Sequence, residues 1–143
     1  MSKRILCAVD VDAPQEDSAV LNVAGKLAKI DDAQLDIVSV VPDFGSSLVG
    51  SYFEEGHHEK MVAEVKGKLE KLSSSVLGEA ADRDVRHLVA TGSVYQEILS
   101  TAEKAGSDLI VIGAHDPDLK DFLLGPNAAR IVRHAKCSVH VVR

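Results

Sequence analysis

The chain has 143 residues, enough for one ordinary domain, and its 45% apolar content without tryptophan requires a core of Val, Ile, Leu and Ala. A net charge of −6 argues against a nucleic-acid partner, since binding to a phosphate backbone needs clustered Lys and Arg. No run approaches the roughly 20 apolar residues of a membrane span, and Asp10 and Asp12 interrupt the apolar start well short of a signal segment, so a cytoplasmic protein is expected.

In chain order, "RILCAVD" (4–10) is a continuous apolar run ending in a carboxylate, the pattern of a strand covered on both faces. Val20, Val23, Ala24, Leu27 and Ala28 then repeat at helical spacing. Pro14, Glu16 and Asp17 stand near the start, where the helix dipole favours acids, and Asp31-Asp32 closes the helix. "QLDIVSVV" (34–41) predicts a second strand, and "PDFGSSLVGSYFEEGHHEK" (42–60) a long irregular stretch. Val62, Val65, Leu69, Leu72 and Val76 predict a helix of about 25 residues. "VRHLVATG" (85–92) is a third strand, "VYQEILSTAEKA" a third helix and "SDLIVIG" (107–113) a fourth strand. "NAARIVRHA" is a short last helix and "SVHVVR" a last strand.

Strands that alternate with helices need right-handed crossovers, so the expected fold is α/β: one domain over residues 1–143, an open parallel five-stranded sheet with helices on both faces. Ligands of such sheets bind outside the carboxyl ends of the strands, where strand order reverses. Those ends carry Asp10, Val40, Val41, Gly92 and Gly113.

Other candidates have plain roles. Cys7 and Cys137 show no CxxC spacing and read as buried reduced thiols. His57 and His58, among Glu54, Glu55 and Glu59, read as a solvated helix start, and no metal site is expected. Ser93 after Gly92 reads as an N-cap. The basic run "RIVRHAK" (130–136) suits a helix C-terminus. There is no GxSxG elbow, Walker A lysine or HExxH, so no catalytic set is expected, and any ATP cleavage should be slow and incidental.

Four stretches, "AVDVD", "AKIDDAQLDIVSVVP", "ATGSVYQEIL" and "IGAHDPDLKDFLLGPNAARIVRHAKCSVHVVR", resemble the universal stress protein family, and most closely its F-type subgroup. The resemblance implies a Rossmann-like fold of the adenine-nucleotide alpha hydrolase type and a stress-response regulator that binds ATP, with Mg²⁺ as a possible companion. The family fingerprint is Gly, two residues, Gly, nine residues, Gly, then Ser or Thr. Gly113 and Gly125 match its outer glycines, whereas Asp116 replaces the middle one, the spacer has eight residues, and Pro126 replaces Ser or Thr.

Carried over by position, the resemblance places adenine and ribose contacts on Ala8, Val9, Asp10 and Val40. It places phosphate contacts on Gly113, Ala114, His115 and Asp116, and on Gly125, Pro126 and Asn127. A helix N-terminus offers unpaired N–H groups to phosphate. Pro126 lacks that donor, Asn127 has a side-chain amide to substitute for the hydroxyl, and His115 either donates to phosphate or lies in solvent. Asp116 and Asp118 would repel a triphosphate unless Mg²⁺ intervenes.

The strand order expected is 3-2-1-4-5, which leaves the last strand at an edge. The resemblance implies a homodimer through that strand, at Val139, Val141 and Val142. Two function classes stay open: a nucleotide-binding regulator, and a nucleotide-free dimeric interaction module of the same family.

Overall fold

The computed structural model describes residues 3–11, 14–42, 57–114 and 126–143. Five strands, β1 (Arg4–Ala8), β2 (Gln34–Pro42), β3 (Arg86–Gly92), β4 (Leu109–Gly113) and β5 (Ser138–Val142), form one sheet in the order β3-β2-β1-β4-β5. Every adjacent pair is parallel. The helices are α1 (Pro14–Asp31), α2 (His57–Leu77), α3 (Glu79–Asp82), α4 (Val94–Ala105) and α5 (Pro126–His134). The fold class and strand order are those expected from the sequence.

Side chains of consecutive strand residues point to opposite faces, and the core divides accordingly. Ile5 and Cys7 of β1, Leu35 and Ile37 of β2 and Val111 of β4 pack with Leu21, Ala24 and Leu69 of α1 and α2. Leu6, Val38, Ile110 and Ile112 pack on the other face with Ile98 and Ala102 of α4 and Ile131 of α5. The aliphatic composition follows from this arrangement, because a sheet covered twice needs branched side chains on both faces. A guanidinium also bridges the second layer, with Arg130 of α5 4.9 Å from the ring centroid of Tyr95 of α4.

Element boundaries differ from expectation in instructive places. The predicted helix of about 25 residues is a 21-residue helix followed by the four-residue α3. The break is Gly78, whose φ of 86° lies in the left-handed region that favours glycine. Helix α1 ends as expected at the acidic pair: Asp32 takes φ 48°, and the Ala33 N–H reaches back to the Ala28 carbonyl at 2.8 Å. Helix α2 begins at His57, and His58 is exposed with its Nε2 3.1 Å from Thr91 Oγ1, in keeping with a solvated helix start. Residues 43–56, most of the long irregular stretch, lie outside the described residues.

Ser93 does occupy the N-cap of α4, with φ −73° and ψ 128°, but its hydroxyl makes no capping bond. The cap works through the backbone, with the Glu97 N–H donating to the Ser93 carbonyl at 2.9 Å. The preceding Gly92 has φ 143°, and a Cβ there would stand 3.0 Å from Glu97 Cγ, so the corner from β3 into α4 depends on the missing side chain.

Two polar clusters fasten the edge strand β3. Asp36 of β2 is fully buried, and its carboxylate receives Arg86 Nε on one oxygen and Nη2 on the other, both at 2.8 Å. These residues are cross-strand partners in the β2–β3 register, which makes the two-pronged geometry possible. The hydrogen bond, and then the charge, of Asp36 raise the Arg86 pKa above its ordinary value. The second cluster joins three elements: the buried Ser73 hydroxyl of α2 donates to Asp82 Oδ1 of α3, and His87 Nε2 of β3 lies 2.8 Å from the same oxygen. Cys7 is fully buried in β1, where burial and then the charge of Asp17 push its thiol pKa up; that protonated thiol is the inert form.

Candidate functional site

Because all five strands are parallel, their carboxyl ends converge on one edge of the sheet. Strand β1 is central, and the chain proceeds to β2 and β3 on one side and to β4 and β5 on the other. The point of reversal lies between β1 and β4, and an open cavity of about 950 Å³ is lined by residues from both sides of it. That volume is at the upper end of small-molecule sites, which run to about 1,000 Å³.

Six residues singled out from the sequence line this cavity: Ala8, Val9, Asp10, Val40, Gly113 and Asn127. They come from four elements or their ends, which the fold brings to one cavity. At Gly113 a Cβ would meet Val20 Cγ2 of α1 at 3.1 Å, so the glycine lets β4 and α1 approach closely at the cavity wall. Asn127 stands on the first turn of α5, behind Pro126, which is exposed and is not among the lining residues.

Backbone donors at the strand ends are largely committed. The Val9 N–H donates to the Val38 carbonyl at 3.0 Å, and the Asp10 N–H donates to Asp17 Oδ2 at 2.8 Å. Ala114 is buried and its N–H donates to the Val142 carbonyl at 2.9 Å. The Ala114 amide thus extends the β4–β5 ladder and does not face a phosphate. Asp10 itself is exposed, just past the end of β1. His115, Asp116 and Gly125 lie outside the described residues, as does the remainder of 115–125.

The cavity also takes in residues that the sequence did not single out as site residues. Asp17 of α1, only 9% exposed, lines it beside Asp10. Ser39, buried in β2, interrupts the apolar run "VSVV", and that lone polar residue was the available signal. Glu64 and Lys68 of α2 and the last residue, Arg143, complete the charged lining. Among the described residues the lining therefore holds three carboxylates, Asp10, Asp17 and Glu64, and two cations, Lys68 and Arg143. No group of three or more His, Cys, Asp or Glu side chains among the described residues is arranged to hold a metal.

The model of the universal stress protein family matches residues 1–143, the whole chain. The chain belongs to the universal stress protein family. It is 30% identical over 145 residues to universal stress protein G of Shigella flexneri, with all of both chains covered. That relative carries the G designation, not the F-type one expected from the sequence motifs.

Among solved structures, the chain is similar to the universal stress protein from Archaeoglobus fulgidus in complex with dAMP, at TM-score 0.67 and 20% identity, covering 99% of this chain and 98% of that one. It is also similar to a universal stress protein in complex with cAMP, at TM-score 0.70 and 19% identity, covering 99% and 97%. At these identities the likeness carries the fold, a parallel five-stranded α/β sheet. No described helix of this universal stress protein is long and apolar enough to cross a membrane.

Proposed function

We propose that the chain is a cytoplasmic stress-response regulator that binds an adenine nucleotide in the cavity at the β1–β4 switch point and works as a homodimer. The observation that carries this reading is the convergence of Ala8, Val9, Asp10, Val40, Gly113 and Asn127 on one cavity. Relatives of the same fold solved with dAMP and cAMP support it.

In this reading the Asp10 carboxylate accepts a hydrogen bond from a ribose hydroxyl or a purine amine, and Val40 borders the base. Phosphate lies toward the first turn of α5, where helix N–H groups are unpaired and Asn127 lines the cavity. ATP is the nucleotide implied by the family fingerprint, with residues 113–116 and 125–127 as its phosphate contacts. The described residues suit an adenosine better than a bare triphosphate: the Ala114 N–H is spent, Pro126 has none, and carboxylates outnumber cations in the lining. A triphosphate would therefore come with Mg²⁺ to offset its charge. The reading assigns no catalytic residue, so any ATP cleavage is slow and incidental.

Mass spectrometry of the small molecules released when the purified protein is denatured tests the proposal, with an adenine nucleotide as the expected species. Asp10→Ala should then abolish calorimetric binding of that nucleotide while leaving the unfolding transition in place. Unchanged affinity would remove Asp10 from the site. Restoring the fingerprint hydroxyl with Pro126→Ser should tighten binding by about 1 kcal/mol, the net worth of one hydrogen bond. A weaker complex by calorimetry would mean that the proline's fixed φ at the start of α5 matters more than its missing donor.

The committed Ala114 amide and the proline at the start of α5 also favour a second reading, a nucleotide-free dimeric interaction module. Recovery of the protein with no nucleotide, together with failure to bind any added adenine nucleotide, selects it. In both readings the dimer forms through β5, the sheet edge that carries Val139, Val141 and Val142.

A further inference from the structure

The corner between β1 and α1 has to hold Asp10 at the cavity although the sheet has already ended. Strand β1 stops at Ala8, and the last ladder-like bond beyond it is that from the Val9 N–H to the Val38 carbonyl at 3.0 Å. The next donor along the chain, the Asp10 N–H, meets no strand carbonyl; it donates to Asp17 Oδ2 at 2.8 Å, a bond that spans seven residues. Asp17 is 9% exposed, sits in the first turns of α1 and lines the same cavity as Asp10. A carboxylate near a helix N-terminus is favoured by the dipole, and a bond from an amide to an ionised acceptor is shorter and stronger than a neutral one. One side chain thus ties the start of the helix to the residue that follows the strand.

We propose that Asp17 is a positioning residue of the nucleotide site: by accepting the Asp10 N–H it fixes the backbone from which the Asp10 carboxylate reaches the ligand. This rests on the adenine-nucleotide reading above. Two features separate it from an ordinary helix-start acid. Its acceptor oxygen serves an amide outside the helix, at the one predicted contact residue whose side chain carries a charge at the strand end. Its burial also leaves the bond little competition from water.

The test compares AMP binding, by calorimetry, in the wild-type chain, Asp17→Ala and Asp17→Asn, with thermal unfolding of each. Asp17→Ala removes the acceptor and should weaken AMP about ten-fold in protein that is still folded at the assay temperature. Asp17→Asn keeps an acceptor oxygen at the same reach and should stay within about three-fold of wild type. A purely structural acid would lower the unfolding temperature without this pattern of loss and rescue. AMP affinity unchanged in Asp17→Ala overturns the proposal, and so does an Asp17→Asn protein as weak as Asp17→Ala.

Hydrogen exchange of the Asp10 amide gives a second measurement that needs no destabilised variant. Protection in the free wild-type protein, retained in Asp17→Asn, supports the bond; an unprotected wild-type amide overturns it. Failure of the wild-type chain to bind AMP or any other adenine nucleotide sinks the nucleotide reading and this proposal together, whereas wild-type binding that Asp17→Ala leaves intact sinks only the proposal.

Discussion

Replacing Arg86 with Ala is expected to lower stability by about 3 kcal/mol, because it removes the guanidinium partner of a carboxyl group that is fully buried. In the wild-type chain Asp36 has both oxygens covered by the Arg86 guanidinium at 2.8 Å, while the Arg86 side chain itself is 48% exposed. The asymmetry sets the direction of the experiment. Arg86 loses little by facing water, but among the described side chains Asp36 has the 3.4 Å contact from Gln34 Nε2 to fall back on, a long and weak bond. Urea unfolding should show a lower midpoint with an unchanged slope, the signature of lost stability without a change in compactness. The double variant Asp36→Leu and Arg86→Leu should recover most of the loss, since an apolar pair of similar volume needs no partner. A single variant with wild-type stability would mean that the pair contributes nothing net.

Val141→Pro is expected to convert the proposed dimer into a monomer at micromolar concentration while sparing the fold. Strand β5 pairs only with β4, so its far side is a sheet edge. The Val142 carbonyl accepts the Ala114 N–H on the β4 side, so Val142 and His140 turn their backbone groups inward. By strand alternation, Val139 and Val141 turn their N–H and C=O groups outward. Proline at Val141 therefore removes an outward donor and none of the internal ladder, which is the position at which an edge strand tolerates it. The Val139 and Val141 side chains pack in the layer beneath α4 and α5 and hold the strand in place. Sedimentation that finds the Val141→Pro protein still dimeric would move the interface away from β5. A wild-type chain that sediments as a monomer would remove the dimer from the proposed function.

The sequence by itself determined the layers and the order of this fold. Continuous apolar runs at 5–9 and 109–112 and the mainly apolar run at 34–41 leave no alternating polar face for solvent, and strands buried on both sides and separated by helices have one economical solution, a parallel sheet. Strand-end positions then follow from chain order, which is why Asp10, Val40 and Gly113, expected at the strand ends from the sequence, line one cavity. Boundaries were legible where one residue carries the backbone, as at the acidic pair closing α1, and were missed at Gly78, where apolar periodicity continued past a glycine whose φ was not apparent from spacing.

The tertiary structure alone decided which polar groups are spent on the fold and which face the cavity. Asp17 and Asp36 both look like ordinary acids in sequence, one in the first turns of a helix and the other among strand residues. Their partners, the Asp10 N–H and the Arg86 guanidinium, lie 7 and 50 residues away, and no local period encodes that pairing. The same holds for Ala114, whose amide the fingerprint assigns to phosphate but whose hydrogen bond goes to Val142 on the neighbouring strand. Periodicity reports which face of an element is buried. Hydrogen-bond assignment depends on where the chain returns, and only the assembled sheet supplies that.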